Sequence, residues 1–199
     1  MDLGSCQTVI ICGGSFDPPH NGHVELPKLV MESIGADAVA YVPAGVQPFK
    51  QDGRQTAPEH RLAMLRLALA DEPWAVVLTD EIDRAGDGPG YTVDTLEGLR
   101  QRLGSDVTMR LLIGSDLIRD FGKWKNPDRI IELAEPLVVI REPDTIDTLD
   151  SEWADRVVDV PRMKLSSTMV RQAMCAGQPI GGMVCSAVED YLREHGLYP

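Results

Sequence analysis

Short, β-branched apolar runs alternate with amphipathic helical stretches along the whole 199-residue chain, and that alternation is the strongest constraint on its fold. The runs fall at residues 8–12, 38–42, 75–79, 107–113, 137–140 and 157–160, most of them followed by Gly, Pro or Asp. The stretches between them have readable boundaries. Thr56, with Glu59 three residues on, reads as a capping box opening a helix through residue 70, apolar at Leu62, Leu65 and Leu69. Thr92 is placed to cap a helix with Val93, Leu96, Leu99 and Leu103 on one side. Asn126-Pro127 reads as an N-cap followed by proline at the first helical position. Ser166 or Ser167 can cap residues 168–176, and a last helix is expected from about residue 185 to 195, ahead of Gly196. The first helix is expected over residues 22–33, where Pro27 removes a backbone hydrogen bond and predicts a kink or a late start.

Strands alternating with helices imply βαβ units. The expected class is α/β: a Rossmann-like, doubly wound, mostly parallel sheet with helices on both faces and a C-terminal helical segment. The length fits one domain, residues 1–199. Such sheets bind ligands beyond the carboxyl ends of their strands, where strand order reverses, so a motif directly after a strand carries the most weight.

The formal net charge of −12 argues against duplex DNA or long RNA as a partner. An anionic small substrate must then be held by a local basic cluster against the global field. No apolar run is long enough to span a bilayer and no basic leader opens the chain, so a cytoplasmic enzyme without membrane attachment is expected. Cys6, Cys12, Cys175 and Cys185 show no metal-ligand spacing, and Cys12 reads as a small core residue. The acidic stretch 144–155 reads as a solvated linker between strands. The sequence leaves homo-oligomer formation open.

After the first apolar run comes Gly-Gly-Ser-Phe-Asp-Pro-Pro-His-Asn-Gly-His, residues 13–23. The glycines let the backbone approach a ligand closely. Asn21 and Gly22 open a helix whose free N–H groups and dipole favour an anion. His20 and His23, three apart across that start, can reach one point, where imidazolium would donate to oxygens that gain charge during transfer. A Gly/Pro-rich turn with two surface histidines is the bland alternative. Two of the chain's four histidines in one such loop argue against it.

H-x-G-H after G-G-x-F-D-P resembles the signature of the nucleotidyltransferases that move a nucleotidyl group from a triphosphate to a phosphate or related acceptor. Leu165-Ser166-Ser167-Thr168-Met169-Val170-Arg171 is similar to the same family's I-S-S-T-x-I-R, and physically is a capped helix start with hydroxyls and an arginine. Gly90-Tyr91-Thr92-Val93-Asp94-Thr95-Leu96 resembles the Y-T-x-D-T-L of the bacterial nicotinate-mononucleotide adenylyltransferases. Ile113-Gly114-Ser115-Asp116, with Phe121 and Trp124 beyond it, looks like their I-G-x-D…F…W, and residues 188–198 like their C-terminal V-x-x-Y-I…G-L-Y. The resemblance spans nearly the whole chain. One departure stands at Gln47-Pro48-Phe49-Lys50, where P-P-H-K is frequent: the lysine is kept and the histidine is not.

The resemblance implies that the AMP moiety of ATP is joined to nicotinate mononucleotide, giving deamido-NAD and pyrophosphate, with no covalent enzyme intermediate. His20, His23, Lys50 and Arg171 are implied around the reacting triphosphate. Implied ATP contacts are Gly13, Gly14, Ser15, Phe16, Gly22, Gly114, Asp116, Ser166, Ser167 and Thr168. For the acceptor, Trp124 is implied to stack on the pyridine ring, with Tyr91, Thr92 and Arg141 as further contacts. Mg²⁺ is expected to arrive with ATP rather than in a cage of protein ligands. The rival readings are a related enzyme using nicotinamide mononucleotide or phosphopantetheine, and a catalytically idle nucleotide sensor.

Overall fold

Side chains along the first strand, β1 (Thr8–Gly14), point alternately to two faces, and both faces are apolar. Val9 and Ile11 join one buried cluster, Ile10 and Cys12 another, so β1 lies in the middle of a sheet covered on both sides. The computed structural model describes residues 1–45, 55–84, 88 and 90–199. Within them, β2 (Ala38–Pro43), β3 (Ala75–Val77), β4 (Thr108–Gly114) and β5 (Glu135–Val139) complete a parallel five-stranded sheet in the order β3-β2-β1-β4-β5. The chain moves outward from β1 to β3, then returns to the far side of β1 for β4. That reversal makes the space past the ends of β1 and β4 a switch point.

Helices α1 (Asn21–Ile34) and α2 (Pro58–Ala68), with the C-cap Leu69 of α2, contribute Val30, Leu65 and Leu69 to the face that carries Ile10, Cys12 and Tyr41. Beyond β3 comes the single turn α3 (Asp80–Asp83). The opposite face is covered by α4 (Thr92–Leu103), α5 (Ile118–Phe121) and α6 (Pro127–Leu133), through Leu96, Leu99, Phe121 and Ile130. Each such leucine contributes about 1.5–3 kcal/mol through burial. After another single turn, α7 (Ser151–Ala154), helices α8 (Ser167–Cys175) and α9 (Ser186–Glu194) form a third cluster with Met64 of α2. This is the expected α/β class with its C-terminal helical segment. Among the described residues no helix is long and apolar enough to cross a membrane.

Several local expectations are corrected. Residues 157–160 form no sixth strand: Val157 makes an isolated bridge to Val138, with the Val158 amide donating to the Val138 carbonyl at 2.9 Å. The segment has strand-like composition but only the edge of β5 to pair with, and Pro161 follows it. Thr56 does not cap α2. Ala57 occupies the cap, Pro58 the first helical position, and the Thr56 hydroxyl donates to Tyr198 instead. Asn126 is at the expected cap of α6, in a left-handed conformation and without a side-chain bond, whereas Ser166 does accept from the Met169 amide. The 144–155 stretch is mostly exposed, as expected, but no strand follows it among the described residues and it is anchored: Asp144 is buried and bonded by Arg119 at 2.9 Å, and Leu149 and Trp153 pack on the core. Helix α1 begins at Asn21 and continues past Pro27 to Ile34, so the late start does not occur.

Candidate active site

The loop leaving β1 is fastened from several directions. Ser15 and Ala44 offer their carbonyls to the guanidinium of Arg61, at 2.8 and 2.7 Å, and Arg61 also donates to the carbonyls of Gly45 and Thr56. Arg61 is 1% exposed, so a charged group is held here by carbonyl dipoles and by the nearby charge of Asp17, with no carboxylate bonded to it among the described residues. The Asp17 carboxylate accepts from Tyr198 Oη at 2.5 Å and more weakly from the Thr56 amide. From α8, Arg171 donates to the Asp17 carbonyl at 2.7 Å and Ser167 to the Pro18 carbonyl at 2.8 Å. The serine-rich helix start and the glycine-framed loop, some 150 residues apart, therefore form one unit.

At the head of α1, the rings of His20 and His23 stack with centroids 3.7 Å apart. His23 Nδ1 accepts from the His20 backbone N–H at 3.1 Å, which leaves Nε2 as the nitrogen that carries the proton in the neutral ring. Phe16 meets the His23 ring edge-on at 5.0 Å. Gly22 lies close under the His20 ring: a Cβ there would stand 3.1 Å from it, so the ring would have to give way by a few tenths of an ångström. Burial pushes His20 down to about 4, helped by the charge of Arg141. Burial, His20 and Arg141 also hold His23 well below the usual histidine range. Both rings are thus neutral at pH 7. The helix start is also less open to an anion than its sequence implies. The Asn21 amide donates to Met183 and the His23 amide to the His20 carbonyl, both at 2.8 Å.

Across the switch point, Gly114 ends β4 and Asp116 lies 3.7 Å from Nε of Arg141. A Cβ at Gly114 would fall against both side chains. The Arg141 amide donates to Ser115 Oγ at 2.9 Å. The charge of Arg141 also bears on both histidines.

The proposed acceptor residues form a second group. Lys125 Nζ sits 4.8 Å above the Tyr91 ring while bonding Asp94 at 2.9 Å, and Trp124, its neighbour, packs against Phe121 at 5.1 Å. Thr92 opens α4, with Tyr91 as its cap and no side-chain capping bond. Behind them Glu81 accepts from Thr95 at 3.0 Å and bonds the backbone of Gly45, and burial raises its carboxyl above the usual range. Lys50, with Phe49, lies outside the described residues. Among those residues no group of three or more His, Cys, Asp or Glu side chains could hold a metal ion.

Asp17, Tyr198, Arg61, Glu81 and Lys125 were not singled out by sequence. Asp17 and Tyr198 lay inside quoted motifs. The signal for Arg61 was a cation on the apolar stripe Arg61, Met64, Leu65 and Leu69.

Residues 11–173 match the family model described as cytidylyltransferase-like. A probable nicotinate-nucleotide adenylyltransferase of Roseiflexus sp. (strain RS-1) is 39% identical over 201 residues, covering 98% of this chain and 99% of that protein. The nicotinate-nucleotide adenylyltransferase of Bacillus subtilis (strain 168) is 34% identical, over 94% of this chain and 96% of its own. The Plasmodium falciparum nicotinic acid mononucleotide adenylyltransferase complexed with NaAD has the same fold, with a TM-score of 0.75 at 19% identity, covering 96% of this chain and 97% of that one.

Proposed function

The chain belongs to the cytidylyltransferase-like nucleotidyltransferases, and from that membership we infer that it is a nicotinate-nucleotide adenylyltransferase, joining the AMP moiety of ATP to nicotinate mononucleotide in NAD biosynthesis. The observation that carries the chemistry is the stacked pair His20–His23 at the head of α1, at the switch point and beside the arginine-held loop. An oxygen of the mononucleotide phosphate attacks the α-phosphorus of ATP in line. The bond from that phosphorus to the β-phosphate oxygen breaks, and pyrophosphate leaves. The attacking phosphate is already anionic, so no strong base is needed, and catalysis is positioning plus charge neutralisation.

The protonated Nε2 of His23 would donate to triphosphate oxygens, with His20 beside it. Arrival of the polyanion favours protonation of the His20 ring, because an opposite charge within a few ångströms raises a histidine pKa, while His23 donates from Nε2 with its Nδ1 kept as an acceptor. Arg171 and Lys50 would add fixed positive charge, and Mg²⁺ would enter on the triphosphate as part of the substrate. The Asp17 carboxylate is already engaged by Tyr198 and Thr56, which leaves it poorly suited as a metal ligand.

Gly13, Gly14, Ser15, Phe16, Gly22, Gly114, Asp116 and the residues 166–168 would surround ATP. Tyr91, Thr92 and Trp124 would receive the acceptor ring, with the Trp124 face suited to an electron-poor heterocycle. The relatives that carry the nicotinate-nucleotide name favour this acceptor over nicotinamide mononucleotide or phosphopantetheine. We place the reaction in the cytoplasm. Pyrophosphate release from ATP with nicotinate mononucleotide, run beside the two other acceptors, tests the reading. A preference for either rival acceptor, or ATP binding without release, would overturn it.

A further inference from the structure

Inside an α-helix the carbonyl of residue i accepts the amide hydrogen of residue i+4. For His23 that donor would come from position 27, and position 27 is proline, which has no amide hydrogen. Pro27 nevertheless sits buried within the continuous helix α1. A carbonyl left without its helical donor must find another. The His23 carbonyl finds the hydroxyl of Tyr41, which donates to it at 2.9 Å from the middle of β2. Tyr41 is fully buried and registers opposite Cys12 of β1, so its position is fixed by the sheet rather than by a loop. Its ring lies 6.0 Å from Phe16, the same ring that meets the His23 imidazole edge-on.

We propose that Tyr41 is a positioning residue for nucleotidyl transfer, acting through the His23 carbonyl that Pro27 leaves open. A helix start ordinarily hangs on its own ladder. Here the turn that carries the second histidine of H-x-G-H is tied to a central strand. The strand, the His20 amide on Nδ1 and the Phe16 edge then fix the His23 ring from three sides. Displacements of about 1 Å at a reacting group cost up to 10²-fold in rate, so such a tie has a kinetic reason to exist. This inference rests on the adenylyltransferase reading for its kinetic consequence and on geometry alone for the tie.

The device predicts its own rescue. In Pro27→Ala the helix regains the missing N–H, and the His23 carbonyl no longer depends on Tyr41. Four proteins are compared: wild type, Tyr41→Phe, Pro27→Ala and the double variant. Tyr41→Phe should lower kcat about tenfold with KM for ATP within about twofold, while adding it to Pro27→Ala should change kcat less than about twofold. The second readout needs no turnover. With only four histidines in the chain, the imidazole nitrogens can be assigned by NMR. The His23 pattern of an accepting Nδ1 should be disturbed in Tyr41→Phe and restored in the double variant. A wild type without pyrophosphate release would remove the functional reading, and the nitrogen pattern would still judge the tie. Wild-type kcat and His23 signals in Tyr41→Phe would overturn the proposal. So would a double variant as impaired as Tyr41→Phe alone, folded or not.

Discussion

Tyr198 donates its phenol hydrogen to the buried carboxylate of Asp17 across 181 positions of sequence. The same hydroxyl accepts from Thr56 at 3.0 Å, so the C-terminal segment, the approach to α2 and the loop after β1 meet at one oxygen. Burial and the bond to Asp17 raise the phenol above its usual range, which keeps it a donor.

Tyr198→Phe removes that donor and leaves Asp17 with the weak Thr56 amide bond. A hydrogen bond to a buried charged group contributes about 1.5–3 kcal/mol, and the variant should lose an amount of that order in urea unfolding. Because the loop carries His20, KM for ATP should rise more than KM for nicotinate mononucleotide. An unshifted urea midpoint would mean that water replaces the phenol at no cost.

Arg61 holds the carbonyls of Ser15, Ala44, Gly45 and Thr56 at once, from a fully buried position. Arg61→Met fills most of the volume but strands those carbonyls, and since a buried polar group left unpaired costs about 1–3 kcal/mol, the expected loss is at least of that order. Arg61→Lys should recover only part of this, since an ammonium cannot reproduce the planar fork. Equal stability of the lysine variant and the wild type would show that charge alone suffices.

The sheet was legible because its strands are short, mostly apolar runs that feed the clusters on its two faces. The run at 157–160 misled for a related reason: strand composition says nothing about whether a neighbour offers a full edge. The His20–His23 pair was legible from a spacing of three across a helix start. Their charge was not, because neutrality depends on burial in the folded protein and on Arg141, which is distant in sequence. Arg61 offered only the signal of a cation on an apolar stripe, because two of the carbonyls it holds, those of Ser15 and Ala44, come from loops distant in sequence. Pro27 read as an anomaly, and only the position of Tyr41 gives it a reason.

Stability should depend on pH through the histidine pair. The unfolded chain binds protons at these rings below about 6.5, while folded His20 does so only near 4 and His23 is shifted the same way. In that window the unfolded state holds more protons, so stability is full above about pH 6.5 and falls on acidification, by about 1.4 kcal/mol per pH unit for each ring that stays neutral when folded. Urea midpoints between pH 7 and 5 measure the slope. A His20→Gln/His23→Gln double variant should flatten it, and an unchanged slope would assign the dependence to other groups.

Removing either imidazole tests its part in the reaction. His20→Ala and His23→Ala should each lower turnover by about 10²-fold or more, as the loss of one preorganised donor does at an oxyanion site. Near-wild-type turnover in both would end the assignment of these rings to the transition state.

Gly22→Ala separates the placement of His20 from the stability of the helix. Gly22 lies in the first turn of α1, where alanine is favoured over glycine by up to about 1 kcal/mol. Backbone preference alone would therefore predict an unchanged or raised melting temperature. The added methyl, however, meets Cε1 and Nδ1 of the His20 ring at 3.1 Å, closer than ordinary contact. The ring is stacked on His23 and can yield only by tilting out of that pair. The expected outcome is a folded protein whose kcat falls by about tenfold, within the range that sub-ångström misplacement produces. Full activity at an unchanged melting temperature would show that the His20 ring has slack, and that its stacking on His23 is incidental to the chemistry.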